Sequence, residues 1–332
     1  MKNFLKLSSN QRKQVINATA TNKLIDPFMI EKDYWVVFFI DLLFNKTNLG
    51  KYFAFKGGTS LSKAYGAINR FSEDIDLVLD WRVIGFSRDE PWKERSKNQQ
   101  NRFNEEANLL AHRFIKNKVL PELQQVIEDF DVSGVKLTIR ENEPETIEIS
   151  YPQLFANHYS LQTIRLEIGP LASWTPTVSK NIDSYIVQEF PQIFVDEKIS
   201  VPTVEAKRTF WEKVVILHRE ANRGKSSLSY RYSRHYSDVF MLSQTKIKEE
   251  ALNDLQLLAD VVAFNQQFYP INSAKFDEAV PGTIKLMPTS EQLLGLRKDY
   301  DDMSEMFFGT PIPFDLMMVG IKELEEEIHQ MV

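Results

Sequence analysis

Two short stretches hold residue types that can do chemistry. Gly57-Gly58-Thr59-Ser60 sets paired glycines ahead of two hydroxyls. Paired glycines let a backbone approach a ligand closely, and hydroxyls at a helix start add donors to its free N–H groups, so such a turn suits phosphate. Asp74 and Asp76 flank Ile75 in a run that alternates in hydrophobicity, Ile75-Asp76-Leu77-Val78-Leu79. On a strand, residues two apart project from one face. Two carboxylates on one face repel unless a cation lies between them, and Mg²⁺ or Mn²⁺ prefers such oxygen donors and also binds phosphate. Taken singly, each stretch is unspecific: Gly-Gly is usually only a turn, and Asp-x-Asp at a strand end usually solvates or caps. Their order, with residues 59–73 between the turn and the first aspartate, is far more specific.

The elements that must position these residues follow from patterning. Tyr52–Phe55 reads as a buried strand running into the glycine turn, and Thr59 or Ser60 then caps a short helix to Tyr65. Ile75–Leu79 reads as a strand. Ahead of them lie a helix over Ser9–Leu24 and one capped by Asp26-Pro27 that runs to about Phe44. Residues 89–129 read as a long helix broken at Pro121, followed by strands at Val132–Arg140, Thr146–Tyr151, Leu161–Ile168 and Tyr185–Gln188. From about Val204 the pattern is helical, with helices expected at 204–222, 233–244, 247–268, 290–308 and 314–331. The expected class is α+β, with domains at 1–202 and 203–332.

The Lys56–Leu77 block resembles the nucleotidyltransferase superfamily related to DNA polymerase β. Ile30-Glu31-Lys32-Asp33-Tyr34-Trp35-Val36, Thr209-Phe210-Trp211-Glu212-Lys213 and Arg234-His235-Tyr236-Ser237-Asp238 narrow the resemblance. Together these blocks, spanning about residues 30–245, are similar to the AbiEii/AbiGii toxin family of bacterial toxin–antitoxin and abortive-infection systems. The resemblance implies a polymerase β-like mixed-sheet core, a helical C-terminal domain, an NTP substrate and Mg²⁺ or Mn²⁺. Asp74, Asp76 and a third acid would hold metal, and Gly57, Gly58, Thr59 and Ser60 would seat the nucleotide. The third acid is Glu167, whose strand lies just before the helical part, where the family places it; Glu148 is its rival. Lys213 would contact phosphate, with Asp238 orienting it or a nucleotide hydroxyl. Ser237 stands where the family often has tyrosine. Ser72 would be a local donor near the metal, and Lys56 and Lys63 flank the turn.

Charge and composition bound the function. The chain has 332 residues, no cysteine, and 46 acidic against 40 basic side chains. Disulfide frameworks, Cys-ligated zinc and thiol nucleophiles are therefore excluded. The net charge of −6 argues against a general nucleic-acid coat. The charge is uneven, however: residues 206–235 carry eight basic and two acidic side chains, and residues 236–332 seven and seventeen. The basic stretch (Lys207, Arg208, Arg219, Arg223, Lys225, Arg231) suits an RNA backbone, with Tyr230 and Tyr232 for stacking; a solvated loop fits it equally. The resemblance makes the acceptor RNA, notably tRNA, and the partner a cognate antitoxin. The most apolar stretch, Tyr34–Phe44, falls short of the ~20 residues of a membrane span, and a cytoplasmic location is expected. A γ-phosphate transferase and a non-catalytic NTP-binding module are the competing readings.

Overall fold

The computed structural model describes residues 1–156, 162–170, 175–194, 199–223 and 229–331. It divides into two compact units: residues 1–64 with 71–204, and residues 65–70 with 205–332. The second unit thus takes a six-residue segment from between the glycine turn and the aspartates.

The first unit contains helices α1 (Lys2–Leu5), α2 (Ser9–Lys23), α3 (Pro27–Asp41), α4 (Gly57–Lys63), α5 (Lys97–Phe114), α6 (Leu120–Asp129) and α7 (Tyr185–Glu189). Among the described residues its strands are β1 (Phe53–Lys56), β2 (Ile75–Leu79), β3 (Lys136–Arg140), β4 (Glu143–Ser150), β5 (Thr163–Gly169), β6 (Thr177–Ile182) and β7 (Ile199–Val204). They form one mixed sheet in the order β3-β4-β5-β2-β1-β7-β6. β1 runs antiparallel to β2, and β2 runs parallel to β5. The α+β class and mixed sheet are those expected.

Alternation gives the sheet two different faces. Phe53, Phe55, Ile75, Leu77, Ile147, Ile149, Ile164, Leu166 and Ile168 share one core with the apolar side chains of α3. On the opposite face, the cross-strand register brings Lys56, Asp76, Glu167 and Thr146 into one row. The sheet therefore buries one face for stability and keeps polar groups on the other.

α3 explains how a helix carrying three successive charges can be central. Every residue from Phe28 to Asp41 is buried. Glu31 accepts the backbone N–H groups of Leu154 and Phe155 at 2.8–3.0 Å. Lys32 pairs with Glu73 at 2.6 Å, and Asp33 pairs with Lys63 at 2.6 Å while accepting the Tyr185 N–H at 2.7 Å. Lys63 therefore anchors α4 to α3, and its ammonium also lies 3.7 Å from the centre of the Tyr185 ring. Removing one partner of a buried pair leaves the other charge uncompensated. Lys63→Met is expected to cost about 3 kcal/mol in urea unfolding, and Lys63→Met with Asp33→Asn to recover most of it. Equal loss in the single and double variants would contradict the pairing.

Several local expectations differ from the structure. Helix α4 begins at Gly57 with Lys56 as its N-cap, so neither Thr59 nor Ser60 caps it; their hydroxyls bond elsewhere. Tyr185–Gln188 is helical because the Ser184 hydroxyl caps the Val187 N–H and Asp33 takes that of Tyr185; tertiary bonds override its β-like composition. Residues 177–182 and 199–204 are strands not anticipated from sequence, the first polar and at a sheet edge, the second interrupted by Pro202. The helix expected over 247–268 is two helices, broken at Asn253-Asp254.

The second unit contains α8 (Ala206–Asn222), α9 (Ser233–Ser243), α10 (Lys246–Leu252), α11 (Leu255–Phe268), α12 (Ser290–Asp302) and α13 (Phe314–His329). α8 is amphipathic and buries Phe210, Trp211, Val214 and Leu217. The Trp211 indole donates to the Ala251 carbonyl at 3.1 Å. Gly320 of α13 lies so close to Phe240 that a Cβ there would meet the ring at 2.4 Å. Asp299 accepts the Arg231 and Ser233 N–H groups and so fixes the start of α9. No described helix is long and apolar enough to cross a membrane.

Candidate active site

β1 delivers the chain to Gly57, whose φ of +77° favours glycine. Its neighbour imposes a second demand, since a Cβ on Gly57 would lie 2.0 Å from Oδ2 of Asp76. The glycine turn and the second aspartate are thus packed backbone to carboxylate. Thr59 and Ser60, both fully buried, turn inward. The Thr59 hydroxyl bridges the Asp74 carbonyl and the Ser72 hydroxyl, and Ser60 donates to the Gly57 carbonyl at 2.9 Å. Their hydroxyls therefore tie the turn to the entry of β2. Ser72 is engaged there as well.

Asp74 stands one residue before β2, and Asp76 lies within it. Asp76 is in register with Glu167 on β5, the adjacent parallel strand. Glu148 lies one strand further away, opposite Arg165. It is held by the Arg140 guanidinium at 2.8 and 2.9 Å and accepts the Thr163 hydroxyl. Glu167 accepts Nε of Arg165 at 3.1 Å, with its side chain 40% exposed.

The electrostatics of Asp74 are unusual for a carboxylate. Burial, followed by the charges of Glu167, Glu73 and Asp76, pushes its carboxyl up to about 7; Lys32 offsets this only in part. Its Oδ1 is buried without a hydrogen-bond partner. An unpaired buried oxygen among like charges is costly to leave unmet, and a hard divalent cation would satisfy both conditions. Among the described residues no three acidic or histidine side chains converge as a ready metal cage. Asp74 and Asp76 carry the oxygen donors that such a cation takes, and Glu167 lies in register with Asp76.

In the helical unit, Lys213 projects from α8 and Asp238 from α9. Lys213 pairs with Oδ2 of Asp238 at 2.8 Å. Arg70 grips both oxygens of the same carboxylate, each at 2.7 Å. Burial would raise Asp238, but Arg70 and Lys213 outweigh it and hold the carboxyl far below its usual range. The His235 ring is kept neutral, chiefly by burial and then by Lys213 and Arg234. The sequence reading paired Lys213 with Asp238 but gave Arg70 no role. The available signal is a lone arginine between Lys56 and Leu77, four residues ahead of Asp74.

A family model for the AbiEii nucleotidyl transferase toxin of type IV toxin–antitoxin systems matches residues 41–319. The chain belongs to the AbiEii toxin family. It is accordingly a nucleotidyltransferase of the toxin class. The AbiEii match extends well past the residue-245 limit of the blocks recognised in sequence and starts after Ile30–Val36, the segment that the fold uses for buried ion pairs. MenT4, a nucleotidyltransferase toxin from Mycobacterium tuberculosis H37Rv, aligns over 98% of this chain and 99% of its own, at 13% identity and a TM-score of 0.41. No curated protein matches the sequence.

The basic stretch of this AbiEii chain is less available than its composition suggested. Arg208 is buried beside Glu212 and cannot meet a nucleic-acid backbone. Lys207 is bound to Asp254 at 2.8 Å, and Arg223 lies 3.7 Å from Glu220. Tyr232 is buried, its hydroxyl on the Ile216 carbonyl, so it cannot stack on a base. Tyr230 is 76% exposed with the Arg231 guanidinium 5.0 Å above its ring. Lys225 lies outside the described residues. Counting charges overstated the strip because it ignores local pairing.

Proposed function

We propose that this toxin transfers a nucleoside monophosphate from an NTP to an RNA acceptor, with Asp74, Asp76 and Glu167 as the metal-holding acids. The observation that carries this reading is the orphaned oxygen of Asp74 beside Asp76, directly against the glycine turn. Bound there, Mg²⁺ or Mn²⁺ would supply the charge that stabilises in-line displacement at the α-phosphate. The Gly57-Gly58 backbone, bare of side chains, lets phosphate approach, and Thr59 and Ser60 hold that backbone in place. Glu167 takes the proton of the attacking hydroxyl or completes the acid cluster. Lys213 places a compact positive charge on the triphosphate, steadied by Asp238. Position and charge do the work, without a covalent intermediate.

An RNA acceptor, notably tRNA, is supported by the toxin family and by the exposed Tyr230–Arg231 pair, which offers a stacking platform with a cation. A cognate antitoxin is the protein partner and the cytoplasm the place of action. Purified protein incubated with total RNA and each NTP should move label from the α-phosphate to RNA, and none from the γ-phosphate. Transfer should stop with EDTA and return with Mg²⁺ or Mn²⁺. Label arriving from the γ-position instead would make the enzyme a phosphotransferase.

A further inference from the structure

Lys213 raises a problem of charge economy. Its ammonium is nearly buried, with a side-chain exposure of 9%, and it lies against a carboxylate that is wholly buried. An isolated buried aspartate would draw its lysine onto both oxygens, leaving little of the positive charge for a ligand. Arg70 prevents this. Its Nε takes Oδ1 of Asp238 and its Nη2 takes Oδ2, so Lys213 is confined to a shared Oδ2. Asp238 thus takes two cations on one carboxylate. Among the described residues Lys213 has no other acceptor, so two of its three N–H donors are unspent.

Arg70 is itself held firmly. It ends the segment 65–70, which the second unit takes from between α4 and β2. The Phe308 N–H donates to the Asn69 carbonyl at 2.8 Å, and Arg70 forms an isolated antiparallel bridge with Phe307. The fork is therefore set by backbone pairing as well as by its own bidentate geometry, which a lysine cannot reproduce.

We propose that Arg70 is a positioning residue for nucleotide binding: it saturates Asp238 so that Lys213 presents an uncommitted ammonium edge to the triphosphate. This rests on the reading of Lys213 as the phosphate contact. Arg70 touches no substrate in this scheme and acts through the carboxylate.

Equilibrium dialysis of each α-labelled NTP against the full chain, with KM and kcat for transfer and thermal unfolding in parallel, tests it. Lys213→Met is expected to weaken NTP binding at least tenfold; unchanged binding overturns the Lys213 reading and the proposal with it. With that established, Arg70→Gln should raise KM about tenfold while kcat stays within about threefold. Arg70→Lys should fall between Arg70→Gln and the wild type, because it restores charge without the fork. Arg70→Gln combined with Asp238→Asn removes both buried partners, and should regain thermal stability without regaining NTP affinity. This double variant and Arg70→Lys carry the test should Arg70→Gln fail to fold. If affinity returns together with stability, or Arg70→Lys binds NTP as the wild type does, Arg70 is structural only and the proposal falls.

Discussion

Gly57→Ala is expected to lower nucleotidyl transfer by about 10³-fold, as severely as Asp76→Ala, while leaving the protein folded. Two costs arise at this position and they differ in size. An alanine at positive φ costs on the order of 1–2 kcal/mol, which a domain of this size tolerates. The larger cost falls on the site: the new methyl would sit 2.0 Å from Oδ2, 2.7 Å from Cγ and 2.9 Å from Cβ of Asp76. No small shift of the carboxylate relieves three such contacts, so Asp76 must leave its rotamer or the turn must leave β2. Gly66 provides the control. It too has positive φ, +58°, but a Cβ there meets nothing within 4 Å. Gly66→Ala should therefore show the backbone cost alone, with transfer retained. Circular dichroism and α-label transfer on the two variants separate the effects. Near-normal transfer by Gly57→Ala would mean that the reaction does not use Asp76 where it stands.

The parts of this site that were legible in sequence are those governed by local geometry. In extended backbone a two-residue repeat puts Asp74 and Asp76 on one face, and the paired glycines leave a stretch of backbone bare of side chains. Neither statement needs a distant partner. The choice between Glu167 and Glu148 does, because it depends on which residue pairs with Asp76 across about ninety positions of chain. Sequence alternation is the same for both strands, so the preference for Glu167 rests on the family resemblance; the register of β2 with β5 sets Glu167, and not Glu148, beside Asp76.

Buried charge was the least legible feature. Glu31, Lys32 and Asp33 look like a polar turn of helix, and their burial depends on Glu73, Lys63 and backbone N–H groups far along the chain. Arg70 escaped notice for the same reason, since its partner lies 168 positions away. The basic stretch shows the opposite error, because Lys207, Arg208 and Arg223 contribute to a charge count yet lie against Asp254, Glu212 and Glu220.

In metal-free protein Asp74 is expected to contribute a loss of stability as pH rises from 5 to 7.5, read as the difference between the wild type and Asp74→Asn, and divalent cation to restore it. The sign follows from Asp74, whose carboxyl is raised from 3.8 to about 7 in the folded protein, chiefly by burial and then by Glu167, Glu73 and Asp76. Below about pH 4 both folded and unfolded chains hold this proton, and it contributes no difference. Between about 4 and 7 the unfolded chain has released it and the folded chain has not, so each step up in pH favours unfolding. Above 7 both have lost it and the penalty is constant, on the order of a few kcal/mol. Asp33 and Glu31 are also raised, chiefly by burial, and push the same way. His235, His218, His112 and the Met1 amine are lowered, chiefly by burial, and push the other way, so the Asp74 contribution is isolated by comparison with a variant that lacks it. Asp238 acts in the opposite sense: its carboxyl is held low, so its contribution is complete above its unfolded value and is lost only in stronger acid. It leaves the window from 5 to 7.5 undisturbed. A divalent cation binds the ionised carboxylate, so its binding displaces the proton and its affinity climbs with pH up to about tenfold per pH unit. Thermal unfolding in EDTA and in Mg²⁺ should therefore coincide near pH 5 and diverge toward pH 8. Asp74→Asn removes both the titrating proton and one ligand, and should make the EDTA slope less negative than that of the wild type and abolish the divergence together. A variant that kept the wild-type slope would place the titrating carboxyl elsewhere. A variant that lost the slope but kept the full cation effect would show that the metal is held without Asp74.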